Sequence, residues 1–128
     1  MIYVDTSALM KLVWSEQGTE ATYAFVGDRE DLISSALLTV EARRAAFRAE
    51  PAALPRVDLL LARFECIQLS DAVIETASRL PDPMLRSLDV IHLATALLIR
   101  DDVDVLLSYD DRLLAAASAH GLPTATPA

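Results

Sequence analysis

Four acids in this 128-residue chain stand where an acid needs explaining: Asp5, Glu41, Asp89 and Asp110. Asp5 follows the apolar "MIYV" and Asp110 follows "VLLSY". Asp89 lies just inside the most apolar stretch of the chain, and Glu41 sits beside Val40 in "TVEARRA". Carboxylates gathered in one cleft repel each other and lose hydration, at several kcal/mol for each unpaired buried charge. A cluster of this kind persists when a cation fills it. Hard oxygen ligands without His or Cys beside them select Mg²⁺ or Mn²⁺ over zinc. Mg²⁺ keeps much of its water, which suits a site that presents a nucleophilic water to phosphate. The hydroxyls of Thr6, Ser7 and Ser108 lie beside the carboxylates, where they can orient a ligand, a metal-bound water or a phosphate.

Each acid also has an ordinary structural use. Asp5 can cap the helix that follows it, and "DD" at 110–111 can cap the last helix. Asp89 near a helix start is favoured by the positive dipole end, and Glu41 can pair with Arg44 three residues on.

The elements that must bring these acids together are legible in the hydrophobic pattern. Short β-like runs alternate with longer helical ones, which points to an α/β domain on a mainly parallel sheet. "MIYVD" reads as the first strand, and "SALMKLVWSEQGTEATYAFVG" as helix with a break at Gly18. "DLISS" is a second strand. "ALLTVEARRAAFRAE" is a helix ended by Pro51, and "PRVDLLLARFE" another. "CIQLS" is a strand, "DAVIETASRL" a helix and "PDPM" a loop. "RSLDVIHLATALLIRD" is a helix with Ser87 as its expected N-cap. "VDVLLSYD" reads as a strand buried on both faces, "DRLLAAASAHG" as a helix closed by Gly121, and "LPTATPA" as an edge strand or a fraying tail. In open parallel sheets ligands sit outside the carboxyl ends of the strands, and this arrangement lets all four acids meet at that edge.

Length suits a single domain over residues 1–128, and 53% hydrophobic content supports one real core, built of aliphatic residues since only 5% are aromatic. The longest apolar segment, "VIHLATALLI", falls short of the ~20 residues that span a membrane. The N-terminus lacks a signal-peptide pattern, and the single cysteine, Cys66, excludes an internal disulfide and reads as a core thiol. A cytoplasmic protein without membrane contact is expected. The formal charge of −8 argues against a general nucleic-acid binder, yet leaves room for an enzyme whose carboxylates hold cations that reverse the local field.

Four fragments in order, "YVDTSALMKL", "TVEARRA", "RSLDVIHLATAL" and "LLSYDDRLLAAA", together resemble the PIN-domain ribonucleases, and most closely the VapC toxins of bacterial type II toxin–antitoxin modules. The resemblance spans essentially the whole chain. It implies a three-layer α/β/α sandwich with a central mainly parallel sheet. It implies an endoribonuclease dependent on Mg²⁺ or Mn²⁺ that cleaves RNA, a tRNA or a ribosomal RNA, to inhibit translation. It implies Asp5 and Asp89 as the main metal ligands, with Glu41 and Asp110 completing the catalytic quartet. Thr6 or Ser7, and Ser108, match the family's small hydroxyl positions, and Ser108 replaces a frequent Thr. A cognate VapB-type antitoxin and a homodimer are the implied partners. Apolar residues of "SALMKLVW", including Trp14, and of "PRVDLLLARFE" are expected to serve those interfaces or the core.

Arg86, Arg44 and Lys11 are the candidate phosphate contacts at the rim of the cleft. His92, a turn after Asp89, reads as structural, and His120 as a partner of a helix C-terminus. Two rival functions are an RNA-processing nuclease outside any toxin module and a catalytically silent binding protein. A phosphotransfer domain fits poorly: "DTS" lacks the second Asp of DxDxT, and the only lysine is Lys11.

Overall fold

The computed structural model describes residues 1–128. In chain order its elements are β1 (Ile2–Val4), α1 (Thr6–Val13), α2 (Thr19–Val26), β2 (Leu32–Ser35), α3 (Leu37–Ala49), α4 (Leu54–Leu61), β3 (Phe64–Ile67), α5 (Asp71–Arg79), α6 (Ser87–Leu98), β4 (Val105–Leu107), α7 (Asp111–Ala119) and β5 (Thr124–Ala125). The strands form one sheet in the order β3-β2-β1-β4-β5, and every pairing is parallel.

Alternation along the strands divides the core in two, because successive side chains leave a strand on opposite faces. Ile2, Val4, Leu32 and Leu107 point to one face and meet Leu9, Leu12, Val26, Leu38, Ala42, Val57 and Leu61 from α1–α4. Tyr3, Ile33 and Leu106 point to the other and meet Leu93, Ala96, Leu113 and Ala117 from α6 and α7. Helix α5 packs on α6. The result is the expected three-layer α/β/α sandwich. No helix is long and apolar enough to cross a membrane.

Chain order crosses the sheet in two directions. From β1 the chain runs outward through β2 to β3, then returns to place β4 on the other side of β1. The strand order therefore reverses between β1 and β4, and a crevice opens outside their carboxyl ends.

The break read at Gly18 divides the first helical run into α1 and α2, and the Gly18 φ of 95° lies in the left-handed region that glycine tolerates. Several other local expectations need correction. β3 starts two residues earlier than read, because pairing of Leu32 with Phe64 sets its register. β4 is only three residues long, since the chain leaves the sheet at Ser108 to enter α7. Ser87 is not the N-cap of α6: Arg86 holds that position, and its N–H donates to the Asp89 carboxylate at 3.4 Å. Cys66 is half-exposed rather than a core thiol, because β3 is an edge strand. Trp14 packs against the core, so α1 offers no free apolar face, whereas Leu59 on α4 is 75% exposed.

Leu9 is fully buried between α1 and the sheet. Leu9→Ala removes its contacts and leaves a cavity, and should cost about 2–5 kcal/mol by urea denaturation. A cost below ~1 kcal/mol would show that this core collapses freely around the site.

Candidate active site

The crevice between β1 and β4 is stitched by hydroxyls. Asp5 is the N-cap of α1 and only 5% exposed. Its Oδ2 accepts from the Ser7 hydroxyl at 2.7 Å, the Ser108 hydroxyl at 2.8 Å and the Ser7 N–H at 3.4 Å. Ser7 Oγ in turn accepts the Tyr109 N–H at 2.8 Å, and Ser108 Oγ accepts the Asp110 N–H at 3.0 Å. With both hydroxyl hydrogens spent on Asp5, the 3.2 Å approach of Ser7 Oγ to Ser108 Oγ is a contact without a shared proton.

Asp110 is the N-cap of α7, with Oδ1 accepting from the N–H groups of Arg112 at 2.9 Å and Leu113 at 3.2 Å. Asp89 lies in the first turn of α6. Glu41, on α3, accepts at Oε1 from the Thr6 hydroxyl at 2.9 Å and bonds His92 Nε2 at 2.6 Å through the same oxygen. His92 Nε2 also lies 3.9 Å from Asp5 Oδ1. Glu41 and Asp89 line a common cavity of about 420 Å³ with Arg86, Ser87 and Leu88. The fold thus brings all four acids to one edge. Three of them also serve the helix-start roles that each allows alone: Asp5, Asp89 and Asp110 sit at the positive ends of α1, α6 and α7. Glu41 pairs with His92 and not with Arg44.

One regularity unites the four. Each carboxylate spends one oxygen on the protein and leaves the other without a donor: Oδ1 of Asp5, Oε2 of Glu41, Oδ1 of Asp89 and Oδ2 of Asp110. No buried side-chain oxygen lacks a partner, so these free oxygens reach solvent. The nearest permanent cation is Arg86, whose Nε is 3.8 Å from Asp89 Oδ2 and whose side chain is 81% exposed. That weak pairing leaves the cluster short of positive charge. Burial first, then the charges of Asp110 and Asp5, push the Asp89 carboxyl above its ordinary range. Burial lowers the His92 imidazole, but its bond to Glu41 and the Asp5 charge outweigh this and raise it.

The donor chemistry fits a hard divalent cation: acidic oxygens, accessible and without donors, on rigid element ends. No three Asp, Glu, His or Cys side chains stand at the spacing of ligands around one ion in this structure.

The hydroxyls predicted to orient substrate have their hydrogens committed to carboxylates, Ser7 and Ser108 to Asp5 and Thr6 to Glu41. They orient ligands, one step behind any substrate. Among the basic candidates, Arg86 is at the cavity and exposed. Arg44 stacks on Phe47, with 6.0 Å from guanidinium to ring centre. Lys11 is not free for phosphate: its ammonium donates to Gln17 O at 2.8 Å, pairs with Glu16 at 3.2 Å and lies over the Tyr109 ring. His120 is at the end of α7 as expected, and pairs with Asp82 at 3.0 Å.

Two residues that join the site had no site role in the sequence reading. His92 is buried, as a structural histidine should be, yet it bonds Glu41 directly. Tyr3, read only as a strand residue, bonds the other nitrogen of His92 at 2.8 Å. The available signals were an aromatic hydroxyl inside an aliphatic strand and a His one helical turn from Asp89.

The PIN domain family model matches residues 2–119. Ribonuclease VapC35 of Mycobacterium tuberculosis is 41% identical, covering 99% of this chain and 97% of its own. A chain of a toxin–antitoxin complex from Klebsiella pneumoniae superposes with a TM-score of 0.75 at 23% identity, over 100% of this chain and 98% of that one. Mycobacterium tuberculosis VapC20, a sarcin–ricin loop cleaving toxin, superposes with a TM-score of 0.74 at 14% identity, over 95% and 96% of the two chains. The chain belongs to the PIN-domain family and, within it, to the VapC group.

Asp89→Asn keeps the size of the side chain and removes a charge that its surroundings oppose. In metal-free protein at neutral pH its melting temperature should exceed that of the wild type. The folded form of Asp89 holds its proton more tightly than the unfolded one, so its destabilising effect is full above the raised value and vanishes below the ordinary Asp range. The gain should therefore shrink as calorimetric scans move to acid pH. An unchanged or lower melting temperature at neutral pH would show that Asp89 is not under repulsion.

Proposed function

We propose that this protein is an endoribonuclease toxin that uses Mg²⁺ or Mn²⁺ to cleave RNA and is held inactive by a cognate VapB-type antitoxin. The observation that carries the chemistry is the set of four carboxylates around one crevice, each with one oxygen anchored and one free. The activity class is supported by similarity to Ribonuclease VapC35 along nearly the whole chain.

Asp5 Oδ1 and Asp89 Oδ1 are the oxygens that would hold the cation. Once bound, it would lower the pKa of its water and offset charge developing on the phosphate. The chain's own groups do the rest. Ser7 and Ser108 keep the Asp5 carboxylate from turning. Glu41 Oε2 and Asp110 Oδ2 would help hold a second ion or orient the attacking water as acceptors. Water oxygen adds to phosphorus as one ester P–O bond breaks, and the proton released from water passes through these carboxylates to solvent while the departing oxygen gains one. Arg86, exposed beside Asp89, contacts the backbone phosphate. This is how an acidic protein would hold RNA: with a cation bound, the local field at the crevice would be set by that ion and Arg86, not by the net charge.

The antitoxin reading is supported by the fold match to a chain in a toxin–antitoxin complex and by exposed apolar side chains, Val40 and Phe47 on α3 and Leu59 on α4. A homodimer would bury part of the same surface.

Purified protein incubated with total RNA should give discrete fragments with Mg²⁺ or Mn²⁺ and none with EDTA. Asp5→Asn and Asp89→Asn should each lose more than about 100-fold of this activity, beyond the cost of losing a supporting partner. Well-folded, antitoxin-free wild type that cuts no RNA, tRNA and ribosomal RNA included, would favour a binding role instead. Arg86→Ala should raise KM and lower the salt slope of RNA affinity by about 1, as for one lost phosphate contact. An unchanged slope would remove Arg86 from the RNA path.

A further inference from the structure

Tyr3 and His92 are both fully buried and carry polar atoms into a core whose other buried polar side chains include Ser34, Ser35 and Thr95. Such groups are retained when their hydrogen bonds are complete, and here they are. We propose that Tyr3 and His92 are a buried positioning pair that holds Glu41 by Oε1 and so aims its free Oε2 into the crevice. The proposal rests on the reading of the four carboxylates as a cation site.

The direction of the hydrogen bonds supports this. The Ser35 N–H can only donate, and it donates to Tyr3 Oη at 3.1 Å. That leaves the Tyr3 hydroxyl hydrogen available to His92 Nδ1, 2.8 Å away, when the imidazole is neutral. In the neutral imidazole Nδ1 is then the acceptor, and Nε2 carries the hydrogen that it donates to Glu41 Oε1 at 2.6 Å. Thr6 donates to that same oxygen from α1 at 2.9 Å. The chain of bonds links β2, β1, α6, α3 and α1. At its end stands a carboxylate on a long, three-torsion side chain, which two donors reduce to one orientation. A ligand whose supporting partner is removed typically loses 10–100-fold in metal affinity or activity. A purely structural pair predicts something else: lost stability with no selective effect on Glu41.

The test is a double-mutant cycle read by calorimetric titration of Mn²⁺ into metal-free protein. Tyr3→Phe keeps the ring in place and should weaken Mn²⁺ binding about tenfold. Glu41→Gln should weaken it as well, and Tyr3→Phe added to Glu41→Gln should cost less than about twofold more, since Tyr3 acts through Glu41. Additive losses, or Mn²⁺ affinity unchanged in Tyr3→Phe, overturn the proposal. A second measurement needs no variant. Nitrogen NMR of His92 in the wild type, at mildly alkaline pH, should show the Nε2–H tautomer, and an Nδ1–H tautomer overturns the assignment. Failure of the nuclease reading looks different: wild type would bind Mn²⁺ with the expected cycle yet cut no RNA.

Discussion

The arrangement depends on one buried carboxylate. Asp5 ends the central strand, is 5% exposed, and would be costly there if left unpartnered. Two hydroxyls and an N–H on Oδ2 offset that cost, and their origins matter. Ser7 belongs to the helix that Asp5 itself caps, while Ser108 follows the neighbouring strand. The same bonds that stabilise the charge therefore close the gap between β1 and β4. Ser7 and Ser108 then accept the N–H groups of Tyr109 and Asp110, which fixes the turn into α7 and with it the fourth acid. Remove the carboxylate and both loops lose a common anchor.

Charge is the second constraint. Four acids share an edge with one exposed arginine and one buried histidine near them. The fold tolerates this in part because three of the acids stand at helix starts, where the backbone N–H groups and the dipole favour negative charge. The compensation is incomplete, as the raised Asp89 shows. A site fully neutralised by its own protein would have no use for a cation. On the proposed function, the uncompensated charge at the crevice is what a bound cation would relieve, and the rest of the sheet supplies the stability that permits it.

Much of this was legible in the sequence because the relevant signals are local. Apolar runs of three to five residues mark the strands, longer periodic runs mark the helices, and three of the four acids stand at the joins. Motif order then placed all four acids on one edge. What was hidden depends on partners far along the chain. Ser87 looks like an N-cap until the Asp89 carboxylate is seen to hold the Arg86 N–H instead. Cys66 looks like core until the strand order puts β3 at the edge. Lys11 looks free until Glu16 and Tyr109 close over it. The bond between Tyr3 and His92 joins residues 89 apart, and no periodicity encodes it.

Strand geometry nevertheless explains why that bond exists where it does. Side chains two apart on a strand share a face, so Tyr3 and Asp5 both project toward α6 while Ile2 and Val4 project toward α1. His92, on the face of α6 that meets the sheet, reaches both: Nδ1 at Tyr3 and Nε2 within 3.9 Å of Asp5. One imidazole can then bridge the core and the crevice, and Glu41 meets it from the other layer. A phenylalanine at position 3 would pack equally well against Leu93 and Leu106, yet would leave Nδ1 and the Ser35 N–H without their shared partner. The hydroxyl is therefore explained by the site, and the ring by the core.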